Sequence, residues 1–382
     1  MFDQTFLREL VAMKDDIGVV SLYATADPRE EASTRPARAI RLRNDLATIR
    51  DQVGSWQERD RREAVLSRLQ HLEPDILELL DAAESGIGRA LFASVGDKDV
   101  RKVSLQVPIT DCAVLEPTAY IRPLITAMAT SAPAGLVLVS RDGLRLIDVR
   151  YGVAEDVDQE PFEIDTEDWR PMVGPGPGGT AQPVATQTDR FHRRVEDHLR
   201  RSLQRSAPEI TRRAKENGWV DVLLIGDIEL TETLATALHP LDTIQVDKIV
   251  DALAPAEAAR KVSAELAATR IRRDTALVTK AVDAAKCGGR GALGLNQTLA
   301  LLNEGRVDHL LLDESATWTG FKGLDGFLYD QQPVSVPADE VPDLGERMIE
   351  TALNSGVTLT TLTMTAAAPL LRYDGVAALL RW

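Results

Sequence analysis

Leu293 to Glu314 reads LGLNQTLALLNEGRVDHLLLDE, and its punctuation decides the fold class. Leu295, Leu299 and Leu302 recur at helical spacing with Leu301 beside them, and Asn296 stands where an N-cap is wanted. Gly305 follows the last periodic leucine, the place for a residue that turns left-handed to stop a helix. Val307 and then Leu310, Leu311 and Leu312 make a short apolar run, the pattern of a strand covered on both faces. Helix, glycine and buried strand in so few residues form the αβ half of a layered α/β sandwich. Many α/β domains contain such a unit, so it speaks for architecture and not for activity.

Toward the C-terminus the pattern repeats. Leu344 to Asn354 predicts a helix, and Gly356 to Thr363 (GVTLTTLT) predicts a strand. Between the two units, residues 315–343 carry Gly320, Gly323, Gly326, Pro333, Pro337 and Pro342 and read as an insertion. Toward the N-terminus, residues 255–285 predict one long helix or two meeting near Arg270, with Pro255 at the first helical position. The first 130 residues alternate a buried strand (IGVVSLYA, 17–24), two arginine-rich helical stretches broken near Pro74, and three short strands. The class is α/β, in three domains over 1–130, 131–269 and 270–382.

Composition narrows the function classes. The chain has 382 residues, 44% hydrophobic and 4% aromatic, with a net charge of −15. That charge argues against a general nucleic-acid binder and against DNA, because phosphate binding needs clustered cations; it leaves room for a local basic face. Cys112 and Cys287 are far apart and match no metal spacing, so reduced buried thiols are expected. No stretch has the length and apolarity of a signal core or a membrane span, and a cytoplasmic protein that needs no cofactor is expected.

The middle of the chain holds the candidate chemistry. Two apolar runs around Asp142-Gly143 predict a hairpin. Residues 155–168 (EDVDQEPFEIDTED) read as a solvated acidic linker with no metal spacing. Residues 173–183 contain four glycines and three prolines, which excludes a helix or strand interior and predicts an exposed loop, taken as 173–188. Thr188 or Asp189 would cap the helix that follows, and Pro208 would restart it. Phe191, Val195, Leu199 and Leu203 form one apolar stripe. Arg190, Arg193, Arg194, Arg200, Arg201 and Arg205 occupy the other faces. Nine cations against five carboxylates between Asp189 and Glu216 reverse the sign of the chain locally. That face can be a solvated helix surface or a phosphate contact. Phe191 can be core or can stack on a base, and His192 has no catalytic partner nearby in sequence.

The terminus LLRYDGVAALLRW (Leu370 to Trp382), placed after a helix–strand pair, resembles the last domain of the archaeal and eukaryotic class-1 release factors and of Pelota. Arg190-Phe191-His192-Arg193 resembles the helix start that follows the Gly-Gly-Gln loop of the release factors' middle domain. The resemblance implies a bacterial member of that superfamily, Balon-like ribosome factors included. It implies an RNase H-type central domain and a ribosomal-protein-like α/β/α sandwich at the end. It also implies a ribosomal A-site role in rescue or hibernation, with the ribosome as partner, a translational GTPase as a further candidate, and RNA contacts through Arg190, His192, Arg193, Arg194, Arg200 and Arg201.

The loop departs from the family. Gly178-Gly179 is followed by Thr180-Ala181-Gln182, and Gln187 is preceded by Ala185-Thr186, whose Cβ atoms resist positive φ. The first expectation is therefore a ribosome binder without Gly-Gly-Gln peptide release. The alternative is a peptidyl-tRNA hydrolase using Gln187 or Gln182. A metal-dependent nuclease is an outsider, since no cluster of carboxylates can be assembled for it.

Overall fold

The computed structural model describes residues 4–26, 37–81, 83–97, 99–162 and 185–382, with backbone alone at 4, 37, 38 and 185–192. The architecture is α/β, with three α/β domains grouped in two compact units: Met1–Ser131 with Ile271–Trp382, and Ala132–Arg270. Among the described residues no helix is long and apolar enough to cross a membrane.

In the first unit, β1 (Lys14–Thr25), β2 (Gly88–Ser94), β3 (Val100–Leu105) and β4 (Cys112–Thr118) form an antiparallel sheet of order β3-β2-β1-β4. One face is covered by the helices Ala37–Gly54 and Arg59–His71, which bury Leu42, Leu46, Ile49, Val65 and Leu69 against Val20, Leu22 and Leu91. A third helix, Glu73–Leu80, starts with Pro74 in its first turn, so the break expected there occurs at Leu72. The buried Arg89 guanidinium closes its other end. It donates to the carbonyls of Glu78 (3.3 Å), Leu79 (3.2 Å), Gly86 (3.0 Å), Asp81 and Glu84. Those are the acceptors a helix C-terminus leaves unmet. Both cysteines are free, but the burial expected of them fails for Cys287, which is exposed; Cys112 is half-buried, and burial pushes its thiol up to about 12.

The second unit is built on β5 (Ala134–Val139), β6 (Gly143–Arg150), β7 (Val153–Pro161), β8 (Asp221–Gly226) and β9 (Ile244–Val246), in the order β7-β6-β5-β8-β9. β6 lies between β5 and β7 and is antiparallel to both, while β8 runs parallel to β5 and β9 to β8. Three meandering strands followed by two parallel ones is the RNase H-like arrangement. The helices Ala185–Glu216 and Ile228–Leu238 cover one face, and Pro255–Lys261 with the first turns of Ser263–Lys286 covers the other. The hairpin at Asp142-Gly143 forms as the sequence predicts, with Val139 opposite Leu144.

Several expectations change here. Of the acidic stretch 155–168, residues 155–161 are no linker: they belong to β7, the edge of the sheet, and 163–168 lie outside the described residues. Arg145 neutralises Asp156 (2.6 Å), Arg213 neutralises Asp158 (3.1 Å), and Ser206 donates to Glu160 (2.6 Å). Outward carboxylates on an edge strand also discourage pairing with another chain. The helix begins at Ala185, earlier than the predicted cap, so residues 185–188 leave the expected loop. Ala and Gln are good helix formers, and the apolar stripe used to place the start begins only at Phe191. Pro208 lies inside that continuous helix; it is exposed, so the Gln204 carbonyl it leaves without a helical partner can meet water. The break expected near Arg270 falls at Val262.

The remaining sheet, in the first unit, has the order β10-β16-β11-β15, from β10 (Gly291–Leu293), β11 (Val307–Asp313), β15 (Thr358–Leu362) and β16 (Val376–Leu380). β12 (Gly320–Gly323), β13 (Leu328–Tyr329) and β14 (Ala338–Val341) form a separate three-stranded sheet within the predicted insertion. Gly305 has φ 70°, the left-handed stop read from the sequence, and β11 lies between β15 and β16 with Leu310, Leu311 and Leu312 buried. Asn296 is not the cap of Leu295–Asn303. Gly294 is, at φ 83°, while Asp374 accepts the Leu295 N–H at 3.2 Å and Asn296 donates to Asp330 at 3.0 Å.

The helix Leu344–Asn354 is buried along most of its length although it carries Glu346, Arg347 and Glu350. Arg347 donates to Thr118 (2.7 Å), Glu350 (2.7 Å) and Glu116 (3.3 Å). Asp343, its N-cap, accepts from the Tyr120 hydroxyl (2.8 Å) and Arg122 (3.1 Å). Buried charges persist only when paired or hydrogen-bonded, and this seam satisfies that condition with residues more than 200 positions apart.

Candidate nucleic-acid interface

Helix Ala185–Glu216 sorts its side chains by the 3.6-residue period. Leu199, Leu203, Ala207, Ile210 and Ala214 are buried against the sheet, and Val195 packs beside them. That leaves Arg193, Arg194, Arg200, Arg201 and Arg205 exposed.

The cation excess divides along the helix. Toward its end, Arg212 is paired with Glu209 (2.8 Å) and Glu216 (2.5 Å), and Arg213 with Glu209 (2.9 Å) and Asp158 (3.1 Å). The Arg212 guanidinium holds the Glu209 carboxyl below its ordinary range. Nearer the start, Arg200 stands 3.7 Å from Asp197, both well exposed, and Arg201 donates to the Asp197 carbonyl at 3.1 Å. Arg193 and Arg194 have no ion-pair or hydrogen-bond partner among the described residues. A guanidinium left unpaired on a rigid helix is free to meet a phosphate bidentately.

Gln187, Arg190 and His192 belong to the helical backbone, and their side chains lie outside the described residues. Gly178, Gly179 and Gln182 lie outside them altogether. His198 is half-buried, and its Nε2 has no partner among the described residues. For the nuclease expectation, no group of three or more His, Cys, Asp or Glu among the described residues is placed to hold a metal ion.

One feature of this domain is set by the sheet order. Arg141, in the turn between β5 and β6, joins Glu196, Arg200, Asp227 and Glu229 around a crevice of about 220 Å³ beside the arginine helix. The signal was present in Arg141 beside the hairpin turn, but only the sheet order brings that turn next to Asp227.

Comparison with known proteins agrees with this site's domain. No curated protein matches the chain. Solved structures that align with it include the archaeal translation termination factor aRF1, at 17% identity over 99% of this chain and 96% of that one, with a TM-score of 0.25. Another is archaeal Pelota from a model of ribosome-bound Pelota and ABCE1, at 14% identity over 100% and 94%, with a TM-score of 0.42. S. cerevisiae Dom34 aligns at 8% identity over 75% and 73%, with a TM-score of 0.41. At such identities and scores the assignment rests on sequence, where residues 133–267 match the model of Bacterial archaeo-eukaryotic release factor family 5. The central domain is thus similar to the bacterial archaeo-eukaryotic release factors, and the match covers less than half of the chain.

Proposed function

We propose that this chain is a ribosome-binding factor that acts at the A site in rescue or hibernation, without Gly-Gly-Gln peptide release. The observation that carries this reading is the unpaired Arg193–Arg194 face on helix Ala185–Glu216, inside the segment that matches the release-factor family model. In a chain of net charge −15, a local row of exposed guanidiniums reverses the sign of the surface and can attract a polyanion. Ribosomal RNA supplies that polyanion. One solved relative is Pelota in its ribosome-bound form, and another, Dom34, interacts with Hbs1. These relatives favour the ribosome as partner and a GTPase as a second.

The non-hydrolytic reading is supported by the backbone at Gln187. Helical φ is negative, whereas a glutamine presented after two glycines uses the freedom of φ that only glycine gives. The test is competition on the ribosome. Purified 70S particles with an empty A site should retain the protein in the pellet, and particles with A-site tRNA should not. Equal retention by both would place binding elsewhere and overturn the A-site assignment.

A further inference from the structure

The chain leaves β5 toward β6 on one side of the sheet, and leaves β8 toward helix Ile228–Leu238 and β9 on the other. β5 and β8 are parallel neighbours, so their connections diverge at their carboxyl ends. Such a switch point leaves a crevice where α/β sheets bind ligands. Here the crevice holds about 220 Å³, with Arg141 from the turn after β5 and Asp227 from the residue after β8 on its rim. Pockets for drug-sized ligands run roughly 300–1,000 Å³, so this space suits a single ring system.

Its lining is specific in kind. The floor is apolar, with Leu199 and Leu230 among its residues, and the rim adds Glu196 and Glu229. Asp227 is committed locally, since it caps its helix by accepting the Glu229 N–H at 2.9 Å. Arg141, Glu196 and Glu229 share this small space, yet among the described residues they form no ion pair with one another. Two open carboxylates oppose a bare anion, and the guanidiniums of Arg141 and of Arg200, which also lines the crevice 3.7 Å from Asp197, oppose a bare cation. An apolar plane with two adjacent donors and a phosphate attached satisfies both kinds of group. Of the four RNA bases, only guanine offers adjacent N–H donors (N1–H and N2–H) on its Watson–Crick edge.

We propose that the crevice between Arg141, Glu196 and Glu229 binds one unpaired guanine nucleotide. The base lies on the Leu199–Leu230 floor, the glutamates accept from N1–H and N2–H, and Arg141 holds the phosphate. Splayed single-stranded bases read on their Watson–Crick edge are the usual means of sequence-specific RNA recognition. The inference deepens the ribosome reading and rests on it only for the source of the nucleotide, because free guanine nucleotides share the same chemistry.

The test is a titration of the full chain, labelled at leucine methyls, with GMP, AMP, CMP and UMP, and with an oligouridylate bearing one central guanosine. GMP should give saturable shifts at Leu199 and Leu230, about tenfold or more tighter than the other three mononucleotides. The double variant Glu196→Gln/Glu229→Gln should erase that preference. Arg141→Ala should weaken GMP and leave guanosine unchanged. Tighter binding of the oligonucleotide than of GMP assigns the site to RNA; the reverse assigns it to a free nucleotide. No saturable shift, equal binding of all four mononucleotides, or preference retained in the double variant would overturn the proposal. Loss of ribosome binding alone would leave this titration untouched, so the two readings fail separately.

Discussion

Glu346 accepts the Ile121 backbone N–H at 2.8 Å from 225 residues away in sequence. Its second oxygen takes the Arg122 N–H at 2.9 Å, so one carboxylate caps the helix Arg122–Thr130 in place of the missing local cap. Burial pushes the Glu346 carboxyl up to about 8, against the opposing effects of the Ile121 N–H and Arg347; Glu350 and Asp343 add to the rise.

A folded value above the ordinary one sets the sign of the pH dependence. The contribution of Glu346 is fully present below its ordinary value and is lost as pH rises through about 8. Stability to urea should therefore fall between about pH 5 and 8, by at most about 1.4 kcal/mol per pH unit from this group. Glu346→Gln should flatten the slope. An unchanged slope in that variant would assign the dependence to other groups, with Glu116, which burial also raises, the first to examine.

Gly135 on β5 lies beneath Trp219. A Cβ there would come within 2.1 Å of the indole, which is anchored by its N–H donating to Asp148 at 2.6 Å. Gly135→Ala should displace the ring, lower stability by about 1–3 kcal/mol as overpacking does, and shift tryptophan emission to the red. Unaltered emission with unaltered stability would mean that the ring has room the structure does not show.

Arg89 is buried and serves carbonyls of the helix Glu73–Leu80 and the loop after it. Hydrogen bonds from a charged donor are each worth about 1.5–3 kcal/mol. Arg89→Met should destabilise the first unit by about 3 kcal/mol or more in urea melts. A drop below about 1 kcal/mol, the level of a surface pair, would contradict this role.

Gln182→Ala and Gln187→Ala should each leave peptidyl-tRNA turnover on stalled ribosomes at the level of the untreated ribosome, as should the unaltered chain. Release by the unaltered chain that collapses in either variant would favour the hydrolase alternative.

What was legible in the sequence was local. Leu310-Leu311-Leu312 after Gly305, and the apolar runs around Asp142-Gly143, place strand, stop and hairpin because the deciding contacts lie within a few residues. β7 was not legible, because its charges are neutralised by Arg145 and Arg213 from other elements. The cap at Gly294 was missed for a similar reason: Asp374, 79 residues away, supplies the acceptor that made Asn296 look necessary. The arginine row on the helix could be read from spacing alone. Which of its members are free could not, since Glu209 and Glu216 occupy Arg212 while nothing among the described residues occupies Arg193. The Arg141 crevice depends on sheet order, which no short window contains.

The central claim is that the free arginines on helix Ala185–Glu216 meet ribosomal RNA. Co-sedimentation with 70S ribosomes across a potassium chloride series tests it most directly. The logarithm of the binding constant should fall linearly with the logarithm of salt, and Arg193→Ala/Arg194→Ala should lower that slope by roughly 0.7 to 0.9 for each phosphate the variant no longer neutralises. A slope identical in the variant and the unaltered chain, or no co-sedimentation of either at low salt, would contradict the account.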